Sequence, residues 1–227
     1  MTFSDGFRHA LALLVGLDRE LLGITALSLA VAIGSVALAA LLGVPAGALL
    51  GAARFRGRGA VVAVVHTLMA VPTVTIGLVC YLLLSRSGPF GPLELLYTPA
   101  GMVLGQAMLA LPLVVALTTG AVAAVDPRCR DTALTLGAGP LRVAAVLVRE
   151  AGPAQAAALL AAFGRVISEL GIALVVGGNI RWRTRTLTTA IAMETQRGEF
   201  GLALALAIVL VALALAVVLT AEALRRR

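Results

Sequence analysis

Two ionisable residues interrupt an otherwise apolar run from Pro153 to Gly178: Arg165 and Glu169. Arg165 falls about a dozen residues in, which at ~1.5 Å of rise per residue reaches the middle of a bilayer. Four residues apart on one helix, the two share a face and can pair. Charges at such depth are costly and turn toward protein or water. Two roles are open: an ion pair that fixes helix packing, or an Arg165 that lines a path and attracts an anion while Glu169 orients it. In an earlier apolar run, Pro72 removes a helix hydrogen bond and Thr73 and Thr75 offer hydroxyls beside it. With Gly77, Gly101, Gly105 and Pro112 they are points of close helix packing or the lining of a pore. Arg181, Arg183 and Arg185 alternate with Trp182, Thr184 and Thr186. They can draw an oxyanion or meet an acidic patch on another protein, or they are solvated charge near lipid headgroups with Trp182 as anchor.

Other chemistry has no residues to run on. All 18 basic residues are Arg, so the Gly-Lys-Ser/Thr ending of a phosphate-binding loop cannot be written in this chain. Any ATP chemistry belongs to a partner, and no cofactor is expected on the chain itself. Two cysteines (Cys80, Cys129) and two histidines (His9, His66) are isolated, with neither metal-ligand spacing nor an expected disulfide. His66, near one end of its segment, reads as a packed or interfacial histidine. No nucleophile–base constellation is visible, so an enzyme is not expected. Asp18, Arg19 and Glu20 interrupt the N-terminal region, which does not read as a cleaved signal peptide. The arginines cluster at the ends of apolar segments, a pattern of membrane topology rather than of nucleic-acid binding.

The elements that carry these residues are apolar helices. The chain of 227 residues is 60% hydrophobic and 13% charged, with a mean hydropathy of +1.04. A soluble fold of this size cannot bury so much apolar surface, so its solvent is lipid. Charge-free runs at 21–53, 59–85, 95–125 and 200–221 can each span, and 153–178 makes a fifth. The expectation is an all-α membrane protein with about five transmembrane helices in one domain over 1–227, with residues 3–17 as a short helix on the membrane surface. With the N-terminus outside, ten Arg lie inside against seven outside, leaving out Arg165. The positive-inside rule therefore favours N-out, C-in, with the basic tail Arg225–Arg227 in the cytoplasm.

The segment from Asp126 to Glu150 reads as two short helices around a hinge. Asp126 can cap and Pro127 can open the first; Ala133, Leu134 and Leu136 give it an apolar side. Gly137 and Gly139 break it, and Pro140 opens a second with Leu141, Ala144, Ala145 and Val148 at helical spacing. A helix–Gly–helix corner with small residues can fit a groove on another protein.

The run Asp131-Thr132-Ala133-Leu134-Thr135-Leu136-Gly137 resembles the Glu-Ala-Ala-x-x-x-Gly loop of permease subunits of ATP-driven (ABC-type) importers. Asp131 stands for the family's Glu and Thr132 for its Ala; the family's later Leu-Pro is replaced by Arg149-Glu150. The stretch FGRVISELGIALVVGGNI is similar to its counterpart in permeases for tungstate, molybdate and sulfate, through Arg165, Glu169, Gly171, Gly178 and Asn179. TRTLTTAIAMETQRGEF, LMAVPTVTIGLVCYLLLSRSGPFG and LVREAGPA resemble the tungstate branch most closely. The resemblance implies a type I importer fold whose cytoplasmic coupling loop docks on the ATPase, with Asp131, Thr132, Ala133, Leu136 and Gly137 as the docking residues. It implies three kinds of partner: an ABC ATPase subunit, an extracytoplasmic substrate-binding protein and a second copy of the chain. It places the protein in the cell (inner) membrane, in contact with lipid, and gives it tungstate or a related oxyanion to import.

Alternatives remain within that reading and outside it. Another importer substrate, such as molybdate, sulfate or an amino acid, uses the same architecture. A proton-coupled secondary transporter would use Glu169 as carrier, but it gives the helix–Gly–helix corner no role.

Overall fold

In the computed structural model, residues 3–225 are described; Arg226 and Arg227 of the expected basic tail lie outside them. The described chain is helical. In order the helices are α1 (Phe3–Val15), α2 (Arg19–Ala52), α3 (Arg58–Met69), α4 (Thr73–Leu84), α5 (Pro99–Ala123), α6 (Pro127–Thr135), α7 (Pro140–Glu150), α8 (Gly152–Ile167), α9 (Gly171–Gly177), α10 (Leu187–Arg197) and α11 (Phe200–Arg225). By length and apolarity, α2, α5 and α11 can each cross a membrane, and up to five spans result if the bent pairs α3–α4 and α7–α8 each count as one. At ~1.5 Å per residue the 34 residues of α2 exceed the ~30 Å hydrocarbon core.

Two expected spans are broken. The run 59–85 is interrupted at Ala70–Pro72, because Pro72 has no amide to donate and its ring disfavours helical backbone at Val71. The run 153–178 is two helices: α8 stops at Ile167 and α9 starts at Gly171. Arg165 therefore lies in the last turn of α8, and Glu169 in the connection between α8 and α9. The polar stretch 179–199 also departs from a plain loop. Its second half is α10, opened by a capping box in which Thr189 Oγ1 accepts from the Thr186 amide at 2.9 Å.

The chain divides into two compact units. The first unit comprises 1–35, 72–106 and 166–216. In it α1, the start of α2, α10 and α11 bury Ala10, Leu21, Ile24, Leu187, Ala190, Ala205 and Leu206 together. Asp18 opens α2 by accepting from the amides of Glu20 and Leu21 at 2.9 and 3.0 Å. Helix α9 is sunk into the same unit: Ile172, Ala173 and Val176 are fully buried. A β-carbon on Gly77 of α4 would come within 3.2 Å of Val175, and one on Gly105 of α5 within 2.8 Å of Ile172. These glycines are packing points, one of the two roles open for them.

Among the described residues the second unit comprises 36–71, 107–165 and the segment from 217 onward. Its centre is a stripe of glycines on α2, Gly43, Gly47 and Gly51, laid against α5. A β-carbon on Gly47 would sit 2.6 Å from the Val115 carbonyl oxygen, and one on Gly51 2.9 Å from that of Thr119. Such small-xxx-small spacing lets two apolar helices approach closely where lipid supplies no hydrophobic drive. Thr119 Oγ1 adds hydrogen bonds to the Gly47 and Val115 carbonyls at 3.2 and 2.7 Å.

Candidate functional site

The α6–α7 corner is built by local rules. Asp126 caps α6, its carboxylate accepting from the Arg128 amide at 2.8 Å, with Pro127 as the first helical residue. The helix ends in a Schellman turn. Gly137 takes a left-handed φ of 78°, the Gly137 amide donates to Leu134 O at 2.9 Å, and the Ala138 amide donates to Ala133 O at 3.0 Å. This conformation needs the glycine, since a β-carbon strains it. Pro140 then starts α7.

Ala133, Val143, Ala144 and Leu147 turn inward onto Ala48 of α2 and Val122 of α5, so the ends of those two spans hold the corner. Ala133 is 8% exposed. The opposite side is apolar and open: Leu136 is 82% and Leu141 72% exposed, with Leu134 exposed beside them. Asp131 and Thr132 are exposed on α6. The α7–α8 junction bends by 82°. The arrangement is a glycine-turned knuckle with an exposed apolar tip.

In the first unit, Glu169 is 3% exposed and its Oε1 accepts from the amides of Gly171 and Ile172 at 2.8 and 3.3 Å, capping α9. Thr188 Oγ1 of α10 donates to the Glu169 carbonyl at 2.8 Å. A β-carbon on Gly171 would meet Thr73 Oγ1 at 2.8 Å, so Thr73 lies against the start of the helix that Glu169 caps. Thr75 and Pro72 are exposed, and the Pro72 carbonyl accepts from the Thr75 and Ile76 amides. Arg165 is exposed near the end of α8, and His66 is exposed on α3, a helix with no buried residue.

The three loop arginines are not equivalent. Arg181 forms a two-pronged bridge to Glu20, Nε to Oε1 at 2.9 Å and Nη2 to Oε2 at 2.6 Å. Arg185 is 6% exposed and its Nη1 lies between Glu20 (3.3 Å) and Glu194 (3.4 Å). Arg197 reaches the same Glu194 oxygen at 3.5 Å. Hydrogen bonding to Glu20 and its charge push the Arg181 pKa up. Burial pulls that of Arg185 down, against the opposing charges of Glu194 and Glu20. Arg183 stays exposed. The network holds three guanidiniums and two carboxylates, so Arg181 and Arg185 act first as struts. Glu20 and Glu194, their partners, went unrecognised because nothing local in the sequence pairs residue 20 with residue 181. The glycine stripe at 43, 47 and 51 carried a readable signal, a four-residue repeat.

The family profile described as "Binding-protein-dependent transport system inner membrane component" matches residues 43–227, which include the corner, both broken segments and the arginine loop. The chain belongs to this family. Among relatives of this transport component, a probable anion ABC transporter permease protein of Haloferax volcanii is 47% identical over 183 residues, covering 78% of this chain and 79% of the relative. A tungstate uptake system permease protein of Peptoclostridium acidaminophilum is 39% identical over 197 residues, 87% and 86% of the two chains. A molybdenum transport system permease protein of Azotobacter vinelandii is 32% identical over 169 residues, 70% and 74%. Membership identifies the multi-pass helical chain as the membrane component of an importer and gives the α6–α7 corner its context.

Proposed function

We propose that this chain is the non-catalytic permease subunit of an importer for tungstate or a related oxyanion, working as a homodimer with a separate ABC ATPase and an extracytoplasmic binding protein. The observation that carries the coupling role is the α6–α7 corner: a glycine-turned knuckle seated on two spans, with Leu134, Leu136 and Leu141 left exposed. An apolar tip fixed to spanning helices is what a motor subunit needs to push on them. The substrate class rests on the relatives, of which one acts on tungstate and another on an unspecified anion. The orientation is N-out, C-in, which puts the corner in the cytoplasm and the Arg181–Arg185 loop outside, where exposed Arg183 and Trp182 would meet an acidic surface of the binding protein.

The path is proposed along Pro72, Thr73 and Thr75. Non-helical backbone at membrane depth survives only inside protein or against water, and the break at Ala70–Pro72 is exposed on a single chain. A second copy, with water between, would satisfy it. Alternating access would follow: ATP closes the two ATPase subunits, the corners move with them, and the dimer opens outward and then inward.

Tungsten uptake, read by elemental analysis in cells with and without the gene at trace tungstate, tests the substrate. Gene-dependent uptake that resists excess molybdate and sulfate is expected. Uptake suppressed by molybdate would move the substrate to molybdate, and uptake indifferent to the gene would remove the tungstate reading.

A further inference from the structure

Beside the corner lies a cavity of about 240 Å³ whose charged lining is entirely basic: Arg54, Arg58 and Arg130, against walls that include Val122, Pro127 and Leu147. Two of the guanidiniums are fixed from behind. Arg58 Nε donates to the Leu50 carbonyl at 2.9 Å and Arg130 Nε to the Ala52 carbonyl at 3.2 Å. These are carbonyls at the end of α2 that have no helical partner of their own. Each arginine spends one of its five N–H donors in this way and keeps the four on Nη1 and Nη2. Among the described residues no carboxylate pairs with any of the three. By contrast, Arg181, Arg185 and Arg197 all have acidic partners.

Arginines at a cytoplasmic loop satisfy the topology rule without any ligand. That rule does not require three of them to converge on one cavity, nor two to be oriented by backbone carbonyls with their forks unspent. Like charges gathered in a partly apolar pocket repel one another, and a multiply charged oxygen anion relieves this while matching the planar forks. The volume is several times the ~30 Å³ share of a water molecule.

We propose that Arg54, Arg58 and Arg130 form an anion-binding pocket that takes a tetrahedral oxyanion, either free or as the phosphate of an anionic lipid headgroup. Arg54 comes from the α2–α3 connection, Arg58 from the first position of α3 and Arg130 from α6, so a bound anion ties the spans to the coupling corner. The cytoplasmic side of the pocket rests on the orientation proposed above; the pocket chemistry does not.

The test uses the purified full chain in neutral detergent. Titration calorimetry with sodium phosphate and sodium tungstate reads the free anion. Native mass spectrometry after exchange into phosphatidylglycerol or phosphatidylcholine nanodiscs reads the lipid. Arg58 and Arg130 also cap α2, so the primary variant is Arg54→Gln, with Arg54→Lys to restore charge and Arg142→Gln, outside the cavity lining, as the control. The proposal expects saturable binding of a free anion, or selective retention of phosphatidylglycerol. Arg54→Gln should weaken that binding about tenfold, while Arg54→Lys, which restores the charge but not the fork, falls between Arg54→Gln and wild type, and Arg142→Gln is unchanged. Free-anion binding assigns a soluble oxyanion and retention without it assigns the headgroup. Binding to neither probe, or binding that Arg54→Gln leaves within about twofold, overturns the pocket. The measurement needs neither transport nor ATP, so a pocket that binds in a chain whose gene does not support uptake would reject the transport proposal alone.

Discussion

At the residue scale, Glu169 separates an importer from a proton carrier. Its carboxylate caps α9 through Oε1, and an amide oxygen can accept the same bonds. Glu169→Gln is therefore expected to keep transport within a few fold. Glu169→Ala should lower stability by about 1–2 kcal/mol through the lost buried cap, seen as a lower melting temperature in detergent. Transport abolished by the Gln variant in a chain of normal stability would instead mark Glu169 as a proton carrier. The arginine network divides by burial. Arg181 is more than half exposed, so Arg181→Ala should shift the melting temperature little. Glu194→Ala removes the buried partner of Arg185 and should cost about 3 kcal/mol or more. Equal losses in a thermal melt would contradict this division.

At the element scale, the glycine stripe of α2 governs the second unit. Gly47→Val would drive its side chain into the Val115 carbonyl and Thr118 and should destabilise the protein by roughly 1–3 kcal/mol, whereas Gly120→Ala meets nothing within 4 Å and should be neutral. Comparing the two melting curves checks the packing. The elements differed in how far local signals revealed them. The starts of α6 and α7 were legible, because Asp126–Pro127 and Pro140 are start signals and Gly137 a stop signal written locally in the sequence. The break between α8 and α9 was not, because nothing in the local pattern shows that the Glu169 carboxylate reaches forward to the Gly171 and Ile172 amides. Helix α10 was hidden by its polar composition and is held by distant partners, such as the Leu187 amide donating to Ser28 Oγ at 2.8 Å. The acidic partners of the loop arginines lay beyond any periodic pattern, in α2 and α10.

At the scale of the whole molecule, the α6–α7 corner is the proposed link through which movement of a partner ATPase reaches the spans. Gly137 is the point at which to break that link without touching the spans, since its left-handed turn lies in open space. Alanine there costs roughly 1 kcal/mol of strain, and arginine adds bulk and charge to the apolar tip. The decisive measurement is tungstate accumulation in proteoliposomes holding this chain with its ATPase and binding protein, with and without ATP, for wild type and Gly137→Arg. Accumulation that requires ATP, together with a Gly137→Arg variant that reconstitutes normally but neither accumulates tungstate nor raises ATP hydrolysis when loaded binding protein is added, is the expected result. Accumulation that follows a proton gradient without ATP, or a Gly137→Arg variant that keeps substrate-stimulated hydrolysis, would contradict it.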